Sequence, residues 1–272
     1  MILADTHTHT TFSSDGHGEP EAMIASAVSR GLSVYCITDH MDWLYPMDQT
    51  KFIFDPKEYF AKLTKLREKW SDRIDLRIGI ELGLRDEADV AEAVLKYYEE
   101  LLRSYPFDYV IGSTHCVCHI DPYYPSYWEN RTGTEGMLQY LESELWNMEH
   151  SDGFQVCGHL DYLLRYVPKN RRVNKAKLGD AVDAILLTLI RRDIGLEINT
   201  GSLRRNYPET NPSAAIAARY YELGGRLITV GSDAHYPEHV AADFDRAEAM
   251  LTSIGFREYA VFSGRKPSFY KF

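Results

Sequence analysis

Seven short apolar runs along this chain each stop at, or within a few residues of, a histidine or a carboxylate. They cover residues 2–5, 33–38, 76–82, 109–113, 154–157, 195–199 and 226–231. Several are rich in Val and Ile without strict apolar–polar alternation, the pattern of parallel strands buried on both faces. Longer amphipathic stretches separate them, at 20–30, 56–70, 86–103, 136–150, 174–192 and 212–224. In the first of these, Met23, Ile24, Ala27 and Val28 fall at helical spacing, with Pro20 near the beginning and Gly31 after the end. Strand followed by helix, repeated about seven times, predicts an α/β fold with a parallel sheet. Seven units close more naturally into a barrel than they spread into an open sheet. A chain of 272 residues suits one such barrel, whose usual size is roughly 250 residues. Residues 1–272 are therefore read as a single domain. The aromatic tail at 259–272 is expected to pack over the barrel.

In a parallel barrel the C-terminal strand ends share one face, where active sites of such folds lie. The first run ends in Asp5-Thr6-His7-Thr8-His9, the second in Thr38-Asp39-His40, the third in Glu81 and the fourth in Ser113-Thr114-His115. The fifth leads into Gly158-His159-Leu160-Asp161, the sixth ends in Glu197-Ile198-Asn199, and the seventh in Gly231-Ser232-Asp233-Ala234-His235. So many imidazoles and carboxylates, partly buried together, would each carry a desolvation cost of kilocalories. Divalent cations remove that cost by coordination, and nitrogen with oxygen donors suits Zn, Mn or Fe. In His7-x-His9 the two rings face the same side of a strand and can reach one ion. Asp39 and Asp161 read instead as loop or capping residues.

Composition narrows the partners. A formal net charge of −10 disfavours binding to a phosphate backbone, and the adjacent pairs Arg171-Arg172 and Arg204-Arg205 read as solvated surface. Four scattered cysteines do not make a secreted disulfide framework. Cys116-Val117-Cys118-His119 lacks the second cysteine pair of a structural zinc site, so these are read as ordinary thiols. No stretch reaches the length of a membrane span, and nothing at the start reads as a signal peptide. The expectation is a cytoplasmic protein that binds neither membrane nor nucleic acid.

These motifs, in this order from residue 5 to 235, resemble the polymerase and histidinol phosphatase (PHP) family. Three segments resemble its stand-alone histidinol-phosphate phosphatases: Phe12-Ser13-Ser14-Asp15-Gly16, the run from Gly158 through Arg165 to Tyr166, and the run from Glu197 through Arg204. The resemblance implies a distorted, TIM-like (β/α)7 barrel with three divalent metal ions at the C-terminal strand ends. It implies a first site of His7, His9, Glu81 and Asp233, a second that shares Glu81 and adds His115 and His159, and a third of Asp15, His40 and His235. Some members carry His where this chain has Asp15, and a carboxylate there makes a harder, less zinc-selective site. The implied reaction is hydrolysis of a small phosphate monoester, L-histidinol phosphate, by a metal-activated water attacking phosphorus. Glu81 and Asp233 would be catalytic through the metals. Arg165 and Arg204 are candidate phosphate clamps, since a guanidinium forks onto phosphate oxygens.

A substrate with an imidazole and an ammonium needs a flat wall and a carboxylate. Trp43, Tyr45, Tyr123, Tyr124, Tyr127 and Tyr207 are candidates for the wall, and Asp42 and Glu209 for the amine. Asp161 is a candidate acid for the leaving alcohol. Of the remaining histidines, His17 should lie nearest the site, with His119, His150 and His239 at the surface or behind it. Two other readings stay open: a PHP phosphoesterase for another small ester, nucleotide or oligonucleotide end, and a C–N hydrolase of the amidohydrolase type, which also opens with HxH. The latter often bridges its metals with a modified lysine where this chain has Glu81.

Overall fold

The computed structural model describes residues 1–205 and 207–272. Its main sheet runs β1 (Ala4–Asp5), β2 (Val34–Ile37), β4 (Asp75–Gly83), β5 (Tyr109–Ser113), β6 (Val156–Cys157), β7 (Gly195–Asn199) and β8 (Ile228–Gly231). Every neighbouring pair in that order is parallel. The short β3 (His40–Met41) also pairs with β4, and it continues β2 in register: Val34 faces Asp75 as His40 faces Glu81. The break between them at Thr38-Asp39 leaves seven strands around the sheet, as the sequence predicts. The ends meet. Thr6 donates to the Val230 carbonyl at 3.2 Å, Asp233 to the His7 carbonyl at 2.8 Å, and His9 to the Ala234 carbonyl at 2.8 Å. The sheet thus closes into a barrel whose backbone donors are satisfied without an exposed edge. The barrel is uneven, because β1 and β6 contribute only two residues each.

The helices are α1 (Pro20–Ser29), α2 (Pro56–Trp70), α3 (Ala91–Ser104), α4 (Pro125–Trp128), α5 (Gly133–His150), α6 (Gly179–Arg191), α7 (Ala214–Glu222) and α8 (Phe244–Ile254). Met23, Ile24 and Ala27 of α1 are buried as the spacing requires, and Gly31 follows with a positive φ of 76°. Boundaries differ where caps decide them. Helix α5 begins three residues before the expected 136, because Thr132 and Glu135 form a reciprocal capping box. Helix α3 begins after 86–90, where the Glu87 side chain instead accepts from Arg85 Nε and from the His119 amide, both at 2.7 Å. Helix α8 is absent from the sequence reading. Phe244, Ala247 and Leu251 carry its buried stripe, and Gly255 ends it.

The tail is a hairpin, β9 (Glu258–Ser263) with β10 (Lys266–Lys271), turning at Gly264-Arg265. Both turn amides donate to Asp108, just before β5, and Leu3 donates to the Tyr259 hydroxyl. Ala260 and Phe262 pack with Cys36, Tyr109, Ile111 and Val156. The tail therefore stoppers the N-terminal end of the barrel, opposite the strand ends that carry the histidines. No described helix is long and apolar enough to cross a membrane.

Candidate metal centre

The barrel mouth brings all nine expected ligands together. His7 and His9 leave β1 on the same side, and their Nε2 atoms lie 3.0 Å apart. Around them stand Glu81 Oε2, at 3.3 Å from His7 and 3.5 Å from His9, and Asp233 Oδ1, at 3.4 Å from His9 and 4.0 Å from His7. These are the residues of the first expected ligand set: His7, His9 and Asp233 form one close group, while Glu81 groups with His7 and His159. Across Glu81, Oε1 lies 2.9 Å from His159 Nε2 and 3.3 Å from His115 Nε2. The one carboxylate divides its oxygens between the two imidazole groups. Asp15 and His235 meet at 3.2 Å, and His40 Nε2 lies 3.9 Å from Asp15. His40 also turns Nδ1 towards Glu81 Oε2, at 2.9 Å. The tightest groupings are His7-His9-Asp233, His7-Glu81-His159, His40-Glu81-His115 and His9-His40-His235. His9 and His40 thus stand between expected sites, and Asp15 sits further out at the rim.

Backbone features aim these side chains. Asp233 has a φ of 54°, a left-handed conformation that turns it inward after β8. Gly231 must be glycine, because a Cβ there would lie 2.4 Å from the His7 Cβ and 2.6 Å from Glu197 Oε1. Asp5 ties the first strand to the last, accepting from the Ser232 amide at 2.9 Å and from the Ala241 amide at 2.8 Å. Asp39 behaves as the expected loop residue: it accepts from the amides and hydroxyls of both Thr10 and Ser13.

The outer nitrogens fix the rings. His7 Nδ1 lies 2.6 Å from Glu197 Oε1, whose Oε2 accepts the His159 amide at 2.8 Å. His115 Nδ1 lies 2.7 Å from Asp42 Oδ2, and His9 Nδ1 lies 3.1 Å from Ser13 Oγ. His235 Nδ1 meets the Asp233 carbonyl at 3.0 Å. A carbonyl and a carboxylate can only accept, so these contacts put the proton on Nδ1 of His7, His115 and His235, and leave the Nε2 lone pair facing the centre. Glu197 ended an expected strand but carried no assigned role. Its place behind His7 could not be read from a linear sequence.

Electrostatics follow the geometry. Burial opposes ionisation of Glu81, yet His7, His40 and His115 hold its carboxyl well below the ordinary range. Burial lowers His7, but Glu197 and Glu81 outweigh it and hold the ring well above its usual value. Burial holds His9 well below the usual value, helped by His40 and His235 stacked at 4.2 Å each. A carboxylate cluster that attracts protons this strongly attracts divalent cations by the same field. Among the described residues, five buried atoms of the cluster also make no well-aligned hydrogen bond: Glu81 Oε2, His40 Nδ1, Asp15 Oδ1, His159 Nδ1 and His235 Nε2. Orphaned acceptors of this kind are rare in native interiors and fit coordination to metal. The donor set of imidazole nitrogen and carboxylate oxygen fits it equally.

A cavity of about 460 Å³ opens over the cluster. Arg165 lines it, with its guanidinium between the rings of Tyr162 and Tyr166, at 5.1 and 5.0 Å. Among the described residues its nearest acid is Asp233 at 3.9 Å, and its Nε and Nη1 have no hydrogen-bond partner. Arg204 is placed differently from the expectation. It donates to the Ser232 carbonyl and does not line the cavity, whereas Arg205 does. Of the expected wall, Tyr45, Tyr123 and Tyr124 line the cavity. Trp43 stacks on Tyr97 instead, Tyr127 is buried with its hydroxyl on Gly136, and Tyr207 is not a lining residue. The wall also includes Phe52, Tyr162, Tyr166 and Tyr236, with His17 stacked on Tyr236 at 4.3 Å. Glu209 pairs with Lys175 away from the cavity. Asp161 does not line the cavity: its oxygens accept from Asn211 Nδ2 and the Ser213 amide. Cys116 is buried and Cys118 exposed, both free. The group that stands between the two sets of imidazoles is Glu81, in the position a modified lysine takes in an amidohydrolase.

Comparison with known proteins supplies the family context. Residues 5–201 match the PHP domain. The chain is similar to the histidinol-phosphatase of Lactococcus lactis, at 30% identity over 98% of this chain and 96% of the relative. It is similar to a probable histidinol-phosphatase of Thermotoga maritima, at 32% identity over 97% of each. The fold superposes on the crystal structure of the Lactococcus lactis histidinol phosphate phosphatase complexed with zinc, L-histidinol and phosphate, with a TM-score of 0.88, 28% identity and 98% of both chains covered.

Proposed function

This chain belongs to the PHP domain family, and on that premise we propose that it is a metal-dependent phosphomonoesterase that hydrolyses L-histidinol phosphate to L-histidinol and phosphate. It acts as one catalytic domain over residues 1–272, in the cytoplasm, as a step of histidine biosynthesis. The observation that carries the reading is the division of Glu81: each oxygen faces a separate group of imidazoles, the arrangement of a carboxylate that bridges two cations.

Three divalent ions fit the donors. His7, His9, Glu81 and Asp233 would hold the first, Glu81, His115 and His159 the second, and Asp15, His40 and His235 the third. When bound, such ions supply Lewis acidity towards phosphate oxygens and lower the pKa of an attacking water. Zinc, manganese and iron all suit the set, with the Asp15 site the hardest of the three. The chain's own residues do the rest. Glu197 and Asp42 hold the proton on the outer nitrogen of His7 and His115, which keeps both Nε2 lone pairs on the centre. Asp39 acts through Ser13 to do the same for His9. Arg165 presents Nε and Nη1 as free donors at the edge of the cluster, where phosphate oxygens of the substrate would lie. Arg204 braces the Asp233 turn through the Ser232 carbonyl. The aromatic wall excludes water from the leaving group.

The test is phosphate release from L-histidinol phosphate, run beside nucleotides and short oligonucleotides. The reading expects release from the first substrate, its loss on chelation and its return with Zn or Mn. Metal-loaded protein that turns over nucleotides but not histidinol phosphate would remove the substrate assignment.

A further inference from the structure

Helix α5 turns a polar face inward. Tyr140, Ser143, Glu144 and Asn147 stand at i, i+3, i+4 and i+7, the spacing of a core stripe. All four are buried, Glu144 and Asn147 completely. Among the described residues, Tyr140 Oη, Ser143 Oγ, Glu144 Oε2 and Asn147 Oδ1 make no well-aligned hydrogen bond. Burying polar groups so incompletely matched costs stability, and leucine at the same positions would not. The matched atoms of this face reach two strand ends. Glu144 Oε1 accepts from the Cys157 thiol at 2.9 Å, and Asn147 Nδ2 donates to Thr114 Oγ1 at 2.8 Å.

Both partners lie next to ligands of the second expected ion. Thr114 precedes His115, and Cys157 stands two residues before His159. Strands β5 and β6 pair at two positions, Ile111 with Val156 and Gly112 with Cys157. Among the described residues, their last backbone bond runs from the Gly158 amide to the Gly112 carbonyl, at 2.9 Å. The ladder therefore stops just short of both imidazoles. His159 depends most on other support. His7, His9, His115 and His235 each have a partner on Nδ1, whereas His159 Nδ1 has none among the described residues. Its ring rests on Tyr162 at 4.7 Å, and Tyr162 rests on Tyr140 of α5 at 5.6 Å.

We propose that Glu144 and Asn147 are positioning residues: through Cys157 and Thr114 they hold the two strand ends beyond the last rung of the ladder and set where His159 and His115 stand. The inference rests on the reading that Glu81, His115 and His159 hold a divalent ion. The two Nε2 atoms meet the same oxygen, Glu81 Oε1, at 2.9 and 3.3 Å. Coordination distances tolerate deviations of only about 0.2 Å. A hydrogen bond fixes length and direction, where an apolar contact can slide. A polar stripe that costs the fold stability thus sharpens the geometry of the centre.

The experiment compares wild type with Asn147→Leu, with Glu144→Leu and Asn147→Leu combined, and with Glu144→Gln. Zinc affinities are measured stepwise by competition with a chromophoric chelator, and anomalous diffraction locates the weakened ion. Thermal unfolding of the metal-free proteins is recorded alongside. Asn147→Leu should weaken the ion beside His115 and His159 about 5-fold and the double variant about 25-fold, with the other ions held within about 3-fold. Metal-free stability should be unchanged or higher. Glu144→Gln keeps an acceptor for the Cys157 thiol and should bind every ion as wild type does. Unchanged zinc affinity in both leucine variants overturns the proposal. So does a loss spread over every ion with a lowered metal-free melting temperature, which would assign the stripe to the fold. If the double variant does not fold, Asn147→Leu alone decides on the same two criteria. Wild type that binds no zinc overturns the metal-centre reading, and the positioning role with it.

Discussion

Replacing Arg165 with methionine separates a phosphate clamp from a structural arginine. The guanidinium is buried between two tyrosine rings, and two of its nitrogens have no hydrogen-bond partner among the described residues. Among the described residues its one near acid is 3.9 Å away. Desolvating such a cation costs several kcal/mol, while two cation–π contacts return roughly 1–4 kcal/mol. Methionine removes both, so stability should be unchanged or should rise by up to about 2 kcal/mol. Activity should move the other way. Two charge-assisted hydrogen bonds to phosphate at about 1.5–3 kcal/mol each predict a loss in kcat/KM of roughly 10²- to 10⁴-fold. Arg165→Lys keeps the charge without the fork and should fall between. The assays are phosphate release, inhibition by inorganic phosphate and thermal unfolding on the same metal-loaded samples. A loss below about 5-fold with phosphate inhibition intact would refute the clamp. A melting temperature lowered by many degrees would show that the arginine holds the fold instead.

Glu197→Gln removes the anion behind His7, and support of this kind is typically worth about 10- to 100-fold in metal affinity or activity. Metal titration of the variant against wild type measures the loss, and unchanged affinity would assign Glu197 to the fold alone. Glu144 is buried on α5, beside the Cys157 thiol, and burial pushes its carboxyl from 4.5 up to about 7. A raised carboxyl means the native state binds more protons than the unfolded state between those values, so its contribution is most favourable below about pH 4.5 and is lost as pH rises through 7. Glu144→Gln should therefore stabilise the protein by roughly 3 kcal/mol at pH 8, with the gain vanishing near pH 4.5. Denaturant unfolding across that range checks it, and a gain independent of pH would contradict the assignment.

Much of this was legible in the sequence because period and punctuation carry it. Buried parallel strands read as Val- and Ile-rich runs, and a ligand-type residue at each run's end becomes a ring once the runs close into a barrel. His7, His9, Glu81, His115, His159 and Asp233 were legible for that reason. What escaped depends on contacts that no local pattern encodes. Glu197 looks like any strand glutamate until β7 places it against His7. Arg204 and Arg205 are adjacent in sequence, and only the short 3-10 turn at Gly201–Arg204 decides which of them reaches the cavity. Two misses did carry a signal: the Thr132-x-x-Glu135 box that starts α5, and the apolar stripe with terminal glycine of α8. The hairpin's tertiary role could not be read, because aromatic residues near a chain end pack equally well in many places.

Anomalous diffraction from crystals grown with zinc or manganese tests the central claim most directly. The account predicts ions on both sides of Glu81, one touching Oε2 with His7, His9 and Asp233, the other touching Oε1 with His115 and His159, and a third at Asp15, His40 and His235. Crystals of active protein with no ordered ion in the barrel mouth, or with ions that leave Glu81 uncoordinated, would contradict it.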